Sequence, residues 1–210
     1  GKINQVSSSE KRFMQLQSGQ AMSLSDHFAI IDDESLSVIT RATAIQLLPM
    51  SSQSLAKDML IPYLTHKEAL LRLSAVMVGG LLPRHEQSQL LSERLKDPLK
   101  SIRIEAARGL LNQGLQSHNQ ALFTKAFNEL VNANQVSIWR GEGRLNQAIV
   151  SLTMGKWLEA EKDLLKSIEI DPYFEGSYIN LAEVYRQQQR KDKERAVLKK
   201  ALKNLPKSAP

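Results

Sequence analysis

Apolar residues along this chain recur at intervals of three and four, the spacing that turns one face of a helix toward a core. Ile39, Ala42, Ile45 and Leu48 form one such run, and Leu70, Leu73, Val76 and Met77 form another. Both faces are expected to point inward. Helix breakers separate the runs: Pro49 with Ser51 and Ser52, then Gly79, Gly80 and Pro83, then Asp97-Pro98 and Gly114. Proline lacks the N–H that a helix needs, and glycine tolerates the left-handed geometry that ends one. The pattern predicts three helical hairpins, with helices over 20–31 and 36–48, 53–64 and 67–79, and 84–96 and 99–112. Residues 118–132 predict a further amphipathic helix, with Leu122, Phe123, Ala126, Phe127 and Leu130 on its apolar side. The fold class implied is all-α, an α-solenoid of helical hairpins.

A fixed ruler underlies the pattern. Arg41, Arg72 and Arg103 lie 31 residues apart, and each is followed three positions later by an alanine: Ala44, Ala75 and Ala106. A constant period of this size marks stacked repeats. Alanine is small where neighbouring helices approach closely. An arginine at the matched place of each repeat suits a polar ladder with carbonyls or carboxylates of the adjoining turn, and Asp97 is one candidate partner for Arg103. A second ruler follows, as Asp171-Pro172 and Leu205-Pro206 mark a longer period of about 34 residues. Four segments result: a polar, Ser-rich stretch over 1–18, expected to be flexible; the 31-residue repeats over 19–116; a connecting or capping helix within 117–136; and two further repeats over 137–210, ending in a basic helix.

The segment D-P-L-K-S-I-R-I-E-A-A-R-G-L-L, residues 97–111, resembles a HEAT repeat, and the two less regular copies before it extend the resemblance over about residues 20–115. Beyond about residue 137, Gly155, Trp157, Ala160, Ile168, Ile170 and Asp171-Pro172 resemble the second half of a tetratricopeptide repeat. Tyr178, Leu181, Ala182, Tyr185, Ala201, Leu202 and Pro206 resemble the next one. The opening helix of the first departs from the family pattern at Arg144, Gln147 and Ser151, and the second carries Gln189 where glycine is usual at the inner turn. The resemblance implies that Trp157 is a packing aromatic. HEAT-like hairpins, then F-N-E-L-V-N-A-N, then two tetratricopeptide repeats are similar in order to the C-terminal region of bacterial multi-haem c-type cytochromes with tetratricopeptide tails. That resemblance implies an exported, periplasmic parent protein with haem c in an upstream domain and a redox protein as partner; otherwise the location expected is cytoplasmic.

Composition narrows the chemistry. The chain has no cysteine, so it holds no disulfide, no thiolate metal site and no covalently attached haem of its own. It begins with neither an initiator Met nor an apolar signal core, as a piece of a longer protein would. No stretch is apolar enough to span a membrane. The net charge is +6, with much of the excess in residues 186–207. No aromatics interleave those cations to stack bases, so a solvated terminal helix is favoured over a nucleic-acid surface. His27, His66, His85 and His118 show no metal-binding spacing and are assigned to the surface or to caps. Asp32, Asp33 and Glu34 read as a turn or cap, and Gly79-Gly80 and Gly141-x-Gly143 lack the sequence of a nucleotide loop. No catalytic, cofactor-binding or metal-binding residue is assigned.

A tetratricopeptide groove is lined by the first helix of each hairpin, which the resemblance places at Glu142, Leu145, Asn146, Ile149, Asn180, Glu183, Arg186 and Gln187. Trp139, beside Arg140, is added either as an exposed anchor or as a wedge between the arrays. Only Asn180 fits the Lys/Asn clamp with which some family members hold a carboxylate, so a ligand of mixed apolar and polar character is expected. The reading is a non-catalytic scaffold for a protein or peptide partner. Its alternatives are a HEAT-like nucleic-acid-binding protein or DNA glycosylase-type enzyme, and a purely structural spacer.

Overall fold

Register, set by two constant periods, governs how the helices meet. The computed structural model describes residues 7–50, 55, 57–111 and 120–205. Among these the protein is all-α, with twelve helices, no strand, and neighbouring helices packed in pairs along the chain as in a solenoid. The chain divides into two compact units, Gly1–Phe127 and Asn128–Pro210.

The first unit contains α1 (Ser8–Gln17), α2 (Leu24–Ile31), α3 (Val38–Gln46), α4 (Ile61–Leu64), α5 (Ala69–Gly79), α6 (Arg84–Leu91) and α7 (Lys100–Leu110). A helix α8 (Gln120–Val136) runs across the division. Helices α3, α5 and α7 start at Val38, Ala69 and Lys100, which is the interval of the arginines, and they pack side by side in order. Ala44, Ala75 and Ala106 are fully buried between them. The approach is closest at Gly109, where an added Cβ would lie 2.5 Å from Leu91 Cδ1 and 3.2 Å from Gly80 Cα. Of the first helix expected over 53–64, residues 53, 54 and 56 lie outside the described residues, and 57–64 form a 3-10 turn at Lys57–Met59 followed by the one-turn α4, which has proline in its first turn.

The arginine ladder forms, and each rung ties a helix to the turn before it. Arg41 Nε donates to the Ile31 carbonyl at 2.6 Å. Arg72 Nη1 donates to the carbonyls of His66 and Lys67, and Arg103 Nη1 to those of Asp97 and Pro98. Asp97 therefore meets Arg103 through its backbone. Its carboxylate goes to the previous repeat, accepting from Arg72 Nε at 2.9 Å, and also accepts from Leu99 N in the turn that leads into α7. The pair is well shielded, with side chains 13% and 3% exposed. Tyr63 makes a parallel link, donating to Asp32 at 2.6 Å and stacking on Phe28.

Several expectations need correction. Ile39, Leu70 and Met77 face solvent, because burying the ladder arginine turns each helix so that Ala42 and Ile45, or Leu71, Ala75 and Val78, take the core side. Within 1–18, residues Ser8–Gln17 form α1, since Ser7 and Glu10 close a capping box and Leu16 is buried. His27 is not a surface group. It is fully buried with Nε2 2.7 Å from the Ala44 carbonyl, which fixes the proton on Nε2 and leaves Nδ1 without a partner. Burial lowers its pKa, outweighing the opposing Ala44 hydrogen bond. His66 Nδ1 accepts from Glu68 N in the turn before α5, and the ring is half-buried. Gly114, His118 and Pro206 lie outside the described residues, as do Ser51 and Ser52.

Removing one partner of a shielded ion pair strands the other charge, so Asp97→Ala is expected to destabilise the first unit by about 3 kcal/mol. Asp26→Ala, which loses an exposed pair with Arg12 and a hydrogen bond, is expected to cost about 1 kcal/mol or less. Urea unfolding of the full chain, followed at Tyr63 by near-ultraviolet circular dichroism, measures both. Equal losses would contradict the ladder's role.

Candidate functional site

The second unit is built on Gly141-x-Gly143. Its hairpins are α9 (Gly141–Thr153) with α10 (Trp157–Ile170), and α11 (Glu175–Gln187) with α12 (Lys191–Asn204). The first helices start at Gly141 and Glu175 and the second at Trp157 and Lys191, so both kinds recur at one interval, the longer of the two periods. A Cβ on Gly143 would fall 1.9 Å from the Ser137 carbonyl oxygen, and one on Gly141 would fall 2.8 Å from Asp171 Cβ. The two glycines therefore serve close packing. Behind them Ser167 Oγ donates to the Gly141 carbonyl at 2.6 Å and lies 2.6 Å from Ser177 Oγ, so Ser177 is the donor to Ser167. This buried hydroxyl pair joins α9, α10 and α11. Around it Leu145, Ala148, Ala160, Leu164, Ile168, Tyr178, Leu181, Tyr185, Val197 and Ala201 form one core. The inner turns match as well: Gly155 has φ +71°, and Gln189, one period on, has φ +58°.

Charge enters where the hairpins meet. The partly buried Glu161 of α10 accepts from Tyr185 Oη at 2.8 Å and Arg190 Nη1 at 2.5 Å, and lies 3.4 Å from Lys193 Nζ. Arg190 and Lys193 also sit over the Tyr185 ring. Burial raises the Glu161 pKa, but the hydrogen bonds from Arg190 and Tyr185 outweigh it, and the net value lies below the ordinary glutamate range. Burial first, and the Glu161 hydrogen bond second, push the Tyr185 phenol up to about 12.

The expected groove residues divide. Leu145 is a correction: it is buried in the core, its Cδ2 against Gly176, and offers no surface. Ile149 is half-buried against that core. Glu142, Arg186 and Gln187 are exposed, while Asn146, Asn180 and Glu183 are half-buried on the same two helices. Asn180 Nδ2 donates to the Gly176 carbonyl, and Glu183 pairs with Arg186 and Gln187. Trp139 is 72% exposed, with the Arg140 guanidinium 5.5 Å from its ring centroid. Trp157 is 37% exposed and so only partly fulfils the packing role. Among the described residues no group of His, Asp and Glu is placed to hold a metal ion, and no helix is long and apolar enough to cross a membrane.

The second hairpin decides the comparison with known families. Residues 175–206 match the tetratricopeptide repeat. No curated protein and no solved structure matches the chain. The matched segment is the hairpin α11–α12, and the hairpin before it keeps the same register. Sequence reasoning missed a cleft of about 800 Å³ on the second unit, where Leu158 and Leu165 lie among Arg144, Lys162, Lys166 and Arg190 and the acids Glu161 and Glu169. It includes none of the expected groove residues. The available signal was the i, i+4, i+7 and i+8 spacing of Leu158, Lys162, Leu165 and Lys166 on the outer side of α10.

Because Glu161 is held ionised in the folded state, its contribution is complete above the ordinary glutamate pKa of about 4.3 and is lost as pH falls through the lower folded value. The urea midpoint of the second unit, read by Trp139 and Trp157 fluorescence, is expected to fall with acidification. Glu161→Gln should lower the midpoint at neutral pH and flatten its acid slope. An unchanged slope in the variant would contradict the assignment.

Proposed function

We propose that this chain is a non-catalytic protein-interaction scaffold, with the first-helix face of α9 and α11 as its ligand-contacting surface. The tetratricopeptide match over 175–206 carries the reading, since such repeats typically mediate protein–protein interactions. The exposed and half-buried polar groups Glu142, Asn146, Asn180, Glu183, Arg186 and Gln187 sit on helices fixed by a buried core, so little ordering cost accompanies binding. The ligand is a protein segment of mixed apolar and polar character.

The order of the repeats extends the proposal to a parent protein. Read as HEAT-like, the hairpins of the first unit with their arginine ladder would make this chain the haem-free C-terminal part of an exported multi-haem cytochrome-like protein. Haem c would be carried upstream, in the periplasm, with a redox protein as partner. The support is the repeat order and the constancy of the two periods.

One preparation tests both levels. An antibody raised to residues 20–206 is used to recover the native gene product from fractionated source cells. The scaffold reading expects a co-recovered protein that is lost when the gene carries Glu183→Lys with Asn180→Arg. Recovery of the product alone, from cells in which it is folded, would overturn that reading. A periplasmic band that stains for covalent haem supports the cytochrome level. A haem-negative cytosolic band discards that level and leaves the scaffold standing.

A further inference from the structure

The constant register of the two hairpins allows the second unit to be compared with itself. Leu145, Leu164 and Ile168 of the first hairpin are buried, at 9%, 0% and 3% exposure, where the second hairpin packs on the first. Their mates one period later are Ile179, Leu198 and Leu202, and these are 56%, 43% and 82% exposed. Side-chain type is preserved while cover is lost. The far side of α11–α12 thus repeats the apolar face that, one hairpin earlier, receives a helix.

The charge at this face identifies the occupant. In the covered interface the acid Glu161 receives Tyr185, Arg190 and Lys193 from the incoming hairpin. One period on, the position of Glu161 is held by Arg195, and Leu165 gives way to Lys199. A further hairpin of the same kind, from this chain or a second copy, would bring its cations against Arg195. Among the described residues Lys191, Arg195 and Lys199 make no ion pair. The apolar triad asks for a helix with apolar residues at i, i+3 or i+4, and i+7, and the inverted charge asks for acids beside them. No aromatic side chain accompanies these cations on α12, so base stacking is not provided.

We infer that the end face formed by Ile179, Leu198 and Leu202, edged by Arg195 and Lys199, docks an acidic amphipathic helix from a partner protein. It is a second binding surface, centred on α12 and adjoining the first-helix groove at Ile179, and it rests on the scaffold reading only for the class of ligand.

The test uses the full 210-residue chain and a labelled synthetic helical peptide with a leucine stripe flanked by glutamates. Its controls are the same peptide with lysine for glutamate, a scrambled acidic peptide, and duplex DNA. Fluorescence anisotropy is expected to show binding of the acidic amphipathic peptide alone. Leu202→Glu and Arg195→Glu should each weaken it about tenfold or more, which corresponds to at least about 1.4 kcal/mol. Arg195→Glu should also gain affinity for the lysine peptide. Both positions are exposed, and an unchanged circular dichroism melt confirms folding in each variant. Glu142→Lys with Asn146→Arg, in the groove on α9, should leave peptide binding intact, which separates failure here from failure of the groove reading. Equal binding of the scrambled peptide or of DNA would make α12 a general polyanion surface and overturn the inference. So would binding that survives Leu202→Glu, or no binding of the acidic peptide.

Discussion

The close approach of consecutive helices at small residues, held in one register by buried polar links, is the constraint on which the rest of this structure depends. A Cβ at Gly109 would press on Leu91 and one at Gly143 would collide with the Ser137 carbonyl, while Ala44, Ala75 and Ala106 are fully buried where α3, α5 and α7 meet. Such tight contact brings backbone carbonyls and turn residues within reach of long side chains. The arginines in one unit, and the Ser167–Ser177 pair with Glu161 in the other, then satisfy groups that packing would otherwise strand. Because each link reaches only the adjacent turn or hairpin, the links and the packing must recur at a constant interval. The two periods are the sequence form of that requirement.

Function follows from the same arithmetic. A stack of helices buries its contact faces and leaves its outer positions free to vary, so binding chemistry can change without disturbing the core. The charge inversion from Glu161 to Arg195 illustrates this, since the apolar register persists while the polar edge takes a new sign. Surface that repeats a buried face, but with different charge, is surface with a different neighbour in view.

Much of the fold is legible in the sequence because a period is a global signal. Helix starts at Val38, Ala69 and Lys100 keep the interval of Arg41, Arg72 and Arg103, and those at Gly141 and Glu175 keep that of the Asp-Pro and Leu-Pro pairs. Facing is less legible. A helix with apolar residues nearly all round offers two candidate stripes, and the pattern turns Ile39, Leu70 and Met77 inward because nothing local reveals that an arginine is buried beside them. The short α4 is hidden for a related reason, as the apolar pattern does not register that Pro62 starts a helix at the first turn rather than continuing one from Lys57–Met59. Of the groove residues, Leu145 carries a family position whose burial depends on Gly176, a contact between helices that no single helix pattern contains. The cleft beside Leu158 and the end face at Leu202 emerge only when burial in one repeat is set against burial in the next.

Native-state hydrogen exchange on the full chain tests most directly whether stability here passes from neighbour to neighbour. Helix α10 is covered by α9 and α11, whereas the far side of α12 carries the exposed Leu198 and Leu202. The account predicts that α12 amides exchange through openings of lower free energy than those of α10, with α11 between them. Protection of α12 equal to that of α10 would contradict it.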